Sequence, residues 1–167
     1  CEMKLLAEDG REIDRWISGT KPHEITGKLE ADRTYILTEV KPAPGYAYAE
    51  NVTFTVNHDG SVNQVEMRDD VTKAEILKID GSSRKPLMGA ELEIIDEAGN
   101  CMDRWISDEK PHKIYGKLEA EKTYILRERK APAGYRLMAD QEFTVSRSGE
   151  VVTVIAENRK KGGKEER

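Results

Sequence analysis

Apolar and polar residues alternate along this chain in short runs, which is the pattern of half-buried β-strands. The clearest runs are Tyr35-Ile36-Leu37, Val52-Thr53-Phe54-Thr55-Val56 and Val151-Val152-Thr153-Val154-Ile155. No segment shows the three-to-four spacing of an amphipathic helix. The pattern therefore predicts an all-β fold of antiparallel sandwich type. Turn sequences with Gly or Pro separate the runs: Asp9-Gly10, Pro42-Ala43-Pro44-Gly45, Asp59-Gly60, Asp80-Gly81, Ala98-Gly99, Pro132-Ala133-Gly134 and Ser148-Gly149.

The chain contains one sequence twice, because residues 10–69 align with residues 99–158 without a gap. Asp14-Arg15-Trp16-Ile17-Ser18 matches Asp103-Arg104-Trp105-Ile106-Ser107 in this alignment. The repeat is too long for a solenoid unit and has the size of a small domain. Two such modules in series favour a role in reach, spacing or avidity over a single dedicated active site.

We divide the chain into repeat one (1–70), repeat two (71–160) and a polar tail or linker (161–167). Repeat two opens with a strand near Ala74–Asp80, which has no counterpart in repeat one. Repeat one is therefore predicted to expose an unpaired sheet edge and an unfilled stripe of its core. No Gly- or Ser-rich linker separates the repeats, so we expect them to stack semi-rigidly.

Composition and charge exclude several classes of partner. The net charge is −5, whereas binding to nucleic acid requires a basic face. No apolar run approaches the length of a membrane span, so we expect no membrane insertion of this segment. The chain starts without Met and in mid-pattern, and we interpret it as a piece of a longer protein. Cys1 and Cys101 stand at unmatched positions of the repeats, which argues against a repeated disulfide.

Two aromatic residue types recur at matched positions. His23 and His112 each follow Lys-Pro, and we interpret them as loop residues, because equivalent histidines in separate domains cannot share a metal ion. Trp16 and Trp105 are interpreted as packing residues of the sheet. No cofactor motif and no metal-ligand spacing is recognised, and we expect neither a cofactor nor a metal.

Repeat two resembles a known family along most of its length: the B-type repeat domain of Gram-positive collagen adhesins, also called the SpaA-like or prealbumin-like pilin domain. Repeat one resembles it from Glu2 to Asp69, without the first strand. The resemblance implies tandem all-β, prealbumin-like (inverse Ig-like) sandwiches. It rests on the order and spacing of Leu77-Lys78-Ile79-Asp80, Pro86-Leu87-Met88-Gly89-Ala90, Glu91-Leu92-Glu93-Ile94, Thr123-Tyr124-Ile125-Leu126-Arg127-Glu128, Ala131-Pro132-Ala133-Gly134-Tyr135, Phe143-Thr144-Val145 and Asn158.

The family resemblance implies an internal crosslink. In this family a first-strand lysine bonds to an Asn or Asp of the last strand with the help of a glutamate, and the matching residues here are Lys78, Asn158 and Glu128. A lysine desolvated among apolar neighbours has a lowered pKa and becomes a neutral nucleophile, and the glutamate would act as the proton shuttle. The alternative is that Lys78 extends to solvent and the other two are ordinary polar residues at strand ends.

Repeat one offers only part of this set. Glu39 matches Glu128 and Asp69 matches Asn158, but Lys4 aligns with Glu93 and not with Lys78. We hypothesise that Asp69 is an unpaired acceptor, able to capture a lysine-bearing strand in trans.

These observations predict a mechanical function. We expect tandem stalk or spacer modules of a Gram-positive cell-surface adhesin or pilin-like protein, extracellular and anchored to the cell wall through parts outside this segment. The expected partners are neighbouring repeats and, through a distal head, a host or matrix protein. The crosslink is a single-turnover self-maturation, so we expect no enzyme. The alternatives are a module that binds a host or matrix ligand directly without a crosslink, and a transthyretin-like hydrolase, which would need clustered His and Arg.

Overall fold

The structure is a computed structural model that describes residues 1–162. Most of the expected tail, residues 163–167, lies outside the described part of the chain. Eleven strands and no helix are found in it, so it contains no helix long and apolar enough to cross a membrane. The strands are β1 (Glu2–Ala7), β2 (Glu12–Ile17), β3 (Thr34–Lys41), β4 (Val52–Thr55), β5 (Lys73–Asp80), β6 (Glu91–Ile95), β7 (Cys101–Ile106), β8 (His112–Tyr115), β9 (Thr123–Lys130), β10 (Gln141–Thr144) and β11 (Val151–Asn158).

Repeat two is a complete two-sheet sandwich, as the sequence predicts. One sheet has the strand order β10-β9-β6-β7 and the other has the order β11-β5-β8. Strand β5 is the central strand of the second sheet and is antiparallel to β8. It runs parallel to β11, with Lys73 opposite Val151 and Asp80 opposite Asn158, so this pair departs from the antiparallel expectation.

The alternation of each strand directs one row of side chains into the space between the sheets. In β5 the buried row is Ala74, Ile76, Lys78 and Asp80. In β9 the row Tyr124, Leu126 and Glu128 is buried in the same way. Because side chains alternate with period two, each apolar row ends in a polar residue that faces the same interior. The first and the last strand of the repeat thus meet the opposite sheet at one end of the core.

Repeat one contains only the first of the two sheets, with the order β2-β1-β3-β4. The segments that match β8 and β11, residues 23–26 and 62–69, form no strand. The prediction of an unpaired sheet edge is therefore wrong in one respect. The absent strand corresponds to the central strand of a sheet, and without it the flanking segments have no backbone partner.

The two cores differ as this topology requires. Repeat two has a buried cluster that includes Ile76, Leu118 and Leu126, each at most 2% exposed. In repeat one the buried cluster consists of Met3, Leu5, Tyr35 and Leu37, while the residue matching Leu118, Leu29, is only partly buried. Burial of apolar area is the main favourable term in folding, so repeat one by itself is the less stable module.

The repeats contact each other without an intervening linker. The backbone N–H of Tyr48 donates to the carbonyl oxygen of Arg147 at 2.9 Å, and the Arg147 guanidinium lies 3.7 Å from the centre of the Tyr48 ring. Thr72 is 1% exposed, and its hydroxyl donates to the carbonyl oxygen of Leu118 at 2.5 Å. Gly45 packs so closely on Gly116 that a Cβ at Gly45 would overlap the Gly116 carbonyl oxygen.

We expect Gly45→Ala to weaken the contact between the repeats. Gly45 has φ +82°, and Gly134, its match in repeat two, has φ +84° with nothing within 4 Å of the Cβ position. Both alanine variants carry the backbone cost of a left-handed residue, about 1 kcal/mol, but only Gly45→Ala adds the clash. Small-angle X-ray scattering should show a broader distribution of inter-repeat distances for Gly45→Ala and an unchanged one for Gly134→Ala. Equal profiles for the two variants would contradict the role given to this contact.

Candidate crosslinking site

Lys78 and Asn158 lie on neighbouring strands at one end of the core of repeat two. Lys78 of β5 is opposite Ala156 of β11, and Asn158 stands two residues further along β11 on the same face. Both side chains point between the sheets, because Lys78 is 3% and Asn158 1% exposed. The parallel pairing of the first and last strands therefore brings together two residues that are far apart in sequence.

Glu128 reaches the same point from the opposite sheet. It is 2% exposed and lies on β9. Its Oε1 is 3.4 Å from the Lys78 Nζ, and its Oε2 accepts a hydrogen bond of 2.8 Å from the Asn158 Nδ2. The backbone N–H of Met138 donates to the same Oε2 at 2.8 Å and fixes the carboxylate. One carboxylate thus contacts both the amine and the amide nitrogen.

The environment of Lys78 favours a neutral amine. Burial lowers the pKa of the Lys78 ammonium group, and the charge and hydrogen bond of Glu128 oppose that shift only in part. The other partner of Nζ is the Met138 sulfur at 3.2 Å, which is a weak acceptor. The Nζ–Oε1 distance of 3.4 Å is also longer than a strong charge-assisted bond. The side chain does not extend to solvent, so the alternative interpretation of Lys78 is wrong.

The amide of Asn158 is held by its nitrogen. Nδ2 donates to the carbonyl oxygen of Arg136 at 2.7 Å as well as to Glu128. A carbonyl can only accept, so this contact fixes which end of the amide faces the loop. The Asn158 Oδ1 is buried without a hydrogen-bond partner, which is unusual for a buried polar atom. The amide is therefore rigidly placed and its carbonyl is not stabilised by a donor.

Two residues next to the site were not singled out from the sequence. The Tyr135 hydroxyl donates to the Asp80 carboxylate at 2.5 Å, and the backbone N–H groups of Ser82 and Ser83 donate to the other oxygen. These bonds lower the pKa of the Asp80 carboxyl to about 2, with the Tyr135 bond as the largest cause. They tie the end of β5 to the loop that follows β9. The signal in the sequence was Asp80-Gly81-Ser82, which reads as an Asx turn.

Repeat one brings Glu39 and Asp69 together without a lysine. Glu39 is 5% exposed, its Oε1 accepts from the backbone N–H of Ala49 at 2.9 Å, and its Oε2 is buried without a partner. Burial and the neighbouring Glu39 raise the pKa of the Asp69 carboxyl. Ala49 matches Met138, so the glutamate is held in the same way in both repeats.

The thiol of Cys1 completes a group of three possible metal ligands in repeat one. The ligand atoms of Cys1, Glu39 and Asp69 lie within 4.8 Å of one another. Two carboxylates and a thiol are suitable ligands for a divalent cation and also attract an ammonium group. The sequence did not indicate this group, because its members are close only in the fold. Cys1 and Cys101 are both free thiols.

The repeated Trp and His residues stack on each other in both repeats. Trp16 and His23 have ring centres 4.1 Å apart, and Trp105 and His112 have ring centres 4.0 Å apart. His112 also contacts the Asp103 carboxylate at 2.8 Å and belongs to β8, so its interpretation as a loop residue is wrong. In repeat two the stack joins the edge strands of the two sheets. The packing role predicted for the tryptophans agrees with this geometry.

Comparison with known proteins agrees with two domains of one kind. The family model of the SpaA prealbumin-like fold domain matches residues 1–71 and again residues 72–160. No curated protein matches the chain.

Solved structures share the fold. The Bacillus anthracis TIE protein is 23% identical with a TM-score of 0.51, and the match covers 95% of this chain but only 30% of that one. The C-terminal fragment of the pilus adhesin SpaC from Lactobacillus rhamnosus GG is 16% identical with a TM-score of 0.50, over 97% of this chain and 89% of that one. The shaft pilin SpaA from Lactobacillus rhamnosus GG is 14% identical with a TM-score of 0.47, over 97% and 88%. The chain thus spans less than a third of the TIE protein.

We expect Tyr135→Phe to raise the pKa of the Asp80 carboxyl from about 2 towards its ordinary value of 3.8. A carboxyl with a lowered pKa in the folded state stabilises the fold above the unfolded pKa and loses that effect as pH falls through the folded pKa. The variant should therefore be less stable than the parent above pH 3.8, and the difference should shrink as pH falls towards about 2. Carboxyl NMR titration and urea unfolding at several pH values measure both effects.

Tyr46→Phe is the matched control, since Tyr46 is the equivalent tyrosine of repeat one and no residue of that repeat matches Asp80. An unchanged Asp80 titration in Tyr135→Phe would contradict the assignment of the hydrogen bond.

Proposed function

Because the chain belongs to the SpaA family of prealbumin-like domains, we propose that its two repeats are structural modules of a surface stalk, either a pilus shaft or the stem of an adhesin. We propose further that repeat two carries a Lys78–Asn158 isopeptide bond that it forms by itself. The observation that carries the proposal is the buried contact of Glu128 with both Lys78 and Asn158.

The geometry supports each step of this reaction. The neutral Lys78 Nζ attacks the Asn158 Cγ and forms the new C–N bond, while the Cγ–Nδ2 bond breaks. The amine loses one proton and the leaving nitrogen gains one, so that ammonia departs. Glu128 contacts the attacking nitrogen with one oxygen and the leaving nitrogen with the other, and it is placed to move that proton. Positioning of both reactants in a fixed geometry supplies the rest of the acceleration.

The bond would act on stability and on mechanical strength. It closes a loop of about 80 residues, and in the chain-entropy model of a crosslink this stabilises the domain by about 4–5 kcal/mol. It also joins the first strand of the repeat to the last. Tension applied to the ends of repeat two would pass through the covalent bond and leave the chain between residues 78 and 158 unloaded. A module of this kind suits a stalk better than a binding domain.

The surfaces of the repeats also support a spacer. Ile17 and Ile106 are strongly exposed, at 78% and 66%, and they occupy the same position in the two repeats. The adjoining Trp–His stack is also repeated. A module that binds one ligand directly would be expected to show an apolar patch that differs between copies. We place the modules outside the cell and on its surface, with neighbouring repeats as their direct partners, and we assign no enzymatic turnover beyond the single self-crosslinking event.

We expect the intact mass of the chain under denaturing conditions to be lower than the calculated mass by one ammonia. Lys78→Ala removes the nucleophile and Glu128→Ala removes the proton shuttle, so both variants should show the full mass. The purified parent should also unfold at a higher denaturant concentration than either variant, by the equivalent of about 4–5 kcal/mol.

Glu39→Ala is the matched control, because it removes the equivalent glutamate from the repeat that has no lysine. Its mass deficit should equal that of the parent. A folded parent of full calculated mass would exclude the crosslink, and the ligand-binding function would then be the better hypothesis.

A further inference from the structure

Repeat one has an unfilled place between two segments that are ready to flank a strand. In repeat two, β5 lies between β11 and β8 and pairs with both. Residues 62–69 and 23–26 match those two strands but have no strand between them, and residues 1–71 contain no equivalent of β5. The missing element is the central strand, so its two neighbours are left without backbone partners as well.

The flanking segments already have the alternation that a strand would need. In residues 62–69, Val65 and Met67 are partly buried and pack on the core, while the residues between them are exposed. Ile25 packs on the same core and matches Ile114, which is 1% exposed in repeat two. The apolar faces are thus in place, and they lack the cover that Ala74 and Ile76 provide in repeat two.

The carboxylates of repeat one mark where a lysine would enter. The Glu39 Oε2 is buried without a partner, and it corresponds to a carboxylate that contacts the Lys78 amine in repeat two. Asp69 stands beside Glu39, at the position of Asn158. An unpaired buried carboxylate is costly, and an amine placed next to it removes that cost. The site therefore selects a strand with one lysine at the position of Lys78.

We propose that repeat one is an acceptor for a lysine-bearing strand of another polypeptide, which it binds between residues 23–26 and 62–69 and joins to Asp69 by an isopeptide bond. The strand has the pattern of β5, with small or apolar residues on the inner face followed by lysine. This inference concerns repeat one alone and goes beyond the function proposed for repeat two.

The reaction differs from that of repeat two in its leaving group. The neutral amine of the incoming lysine attacks the Asp69 Cγ, the new C–N bond forms, and the bond from Cγ to the acid oxygen breaks. The amine loses a proton, the leaving oxygen is protonated, and one water is released. Glu39 is held by the Ala49 N–H beside Asp69 and is the group that moves the proton. No cofactor or oxidant enters the balance.

The test uses the full chain and a synthetic peptide with the sequence of residues 72–82. We expect an adduct that survives boiling in denaturant, with the mass of protein plus peptide minus one water. Tandem mass spectrometry should locate the bond between Asp69 and the peptide lysine that corresponds to Lys78. Amide hydrogen exchange should show new protection in residues 23–26 and 62–69, because the bound strand pairs with both.

Matched variants separate this reaction from trivial ones. A peptide with Lys78→Ala retains the lysine that corresponds to Lys73 and should give no adduct. Asp69→Ala and Glu39→Gln should lose the adduct, whereas Asp59→Asn, which changes an exposed carboxylate of the same repeat, should retain it. Asp69→Asn keeps an acceptor of nearly the same shape and should form the adduct with loss of ammonia instead of water. Cys1→Ser should still react, which excludes capture by the thiol.

Two results would overturn the proposal. One is a folded protein, judged by circular dichroism, that forms no adduct at saturating peptide. The other is an adduct that persists in Asp69→Ala or that maps to another peptide lysine. Either result leaves the intact-mass test of repeat two unaffected, so the stalk function and the strand capture fail or succeed independently.

Discussion

The burial of one lysine at the centre of a sheet organises the whole end of repeat two. An ammonium group in an apolar interior is expensive unless partners surround it or it loses its proton. Lys78 meets Glu128 from the opposite sheet, and Glu128 in turn holds Asn158 from the last strand. The loop after β9 contributes the Arg136 carbonyl and the Met138 N–H. First strand, last strand, facing sheet and loop are therefore joined at a single polar point inside an otherwise apolar core.

Repeat one shows what happens to the same architecture without its central strand. Its first sheet, its Trp–His stack and the held carboxylate of Glu39 are retained. Residues 62–69 keep the alternation of a strand and still form none, because the ladder hydrogen bonds of a strand require a neighbour. The second sheet is thus cooperative: the strand that carries the lysine is also the strand on which the other two depend. A single segment determines both the fold of this layer and its chemistry.

The alternation and the turn residues were enough to predict an all-β fold, and the repeat with its family resemblance identified Lys78, Glu128 and Asn158. The order of strands in the sheets could not be obtained in this way. A local pattern indicates which face of β5 is buried but not that β5 lies between β8 and β11, so the defect of repeat one was expected at an edge. The contacts of Asp80 with Tyr135 and of Cys1 with the Glu39–Asp69 pair depend on loops that meet only in the folded chain.

The different acceptors of the two repeats follow from how far each is buried. Asn158 is an amide in a closed core, where its nitrogen leaves as ammonia without any need for prior protonation of a carboxylate. Asp69 is still exposed, and a charged carboxylate resists attack by an amine. Burial already raises its pKa, and a strand laid over it would remove more water from both the acid and the incoming lysine. The same event that completes the sheet would then make the amine nucleophilic and the acid reactive. Reaction with stray amines in solution would be suppressed for the same reason, since a free lysine brings no strand to exclude the water.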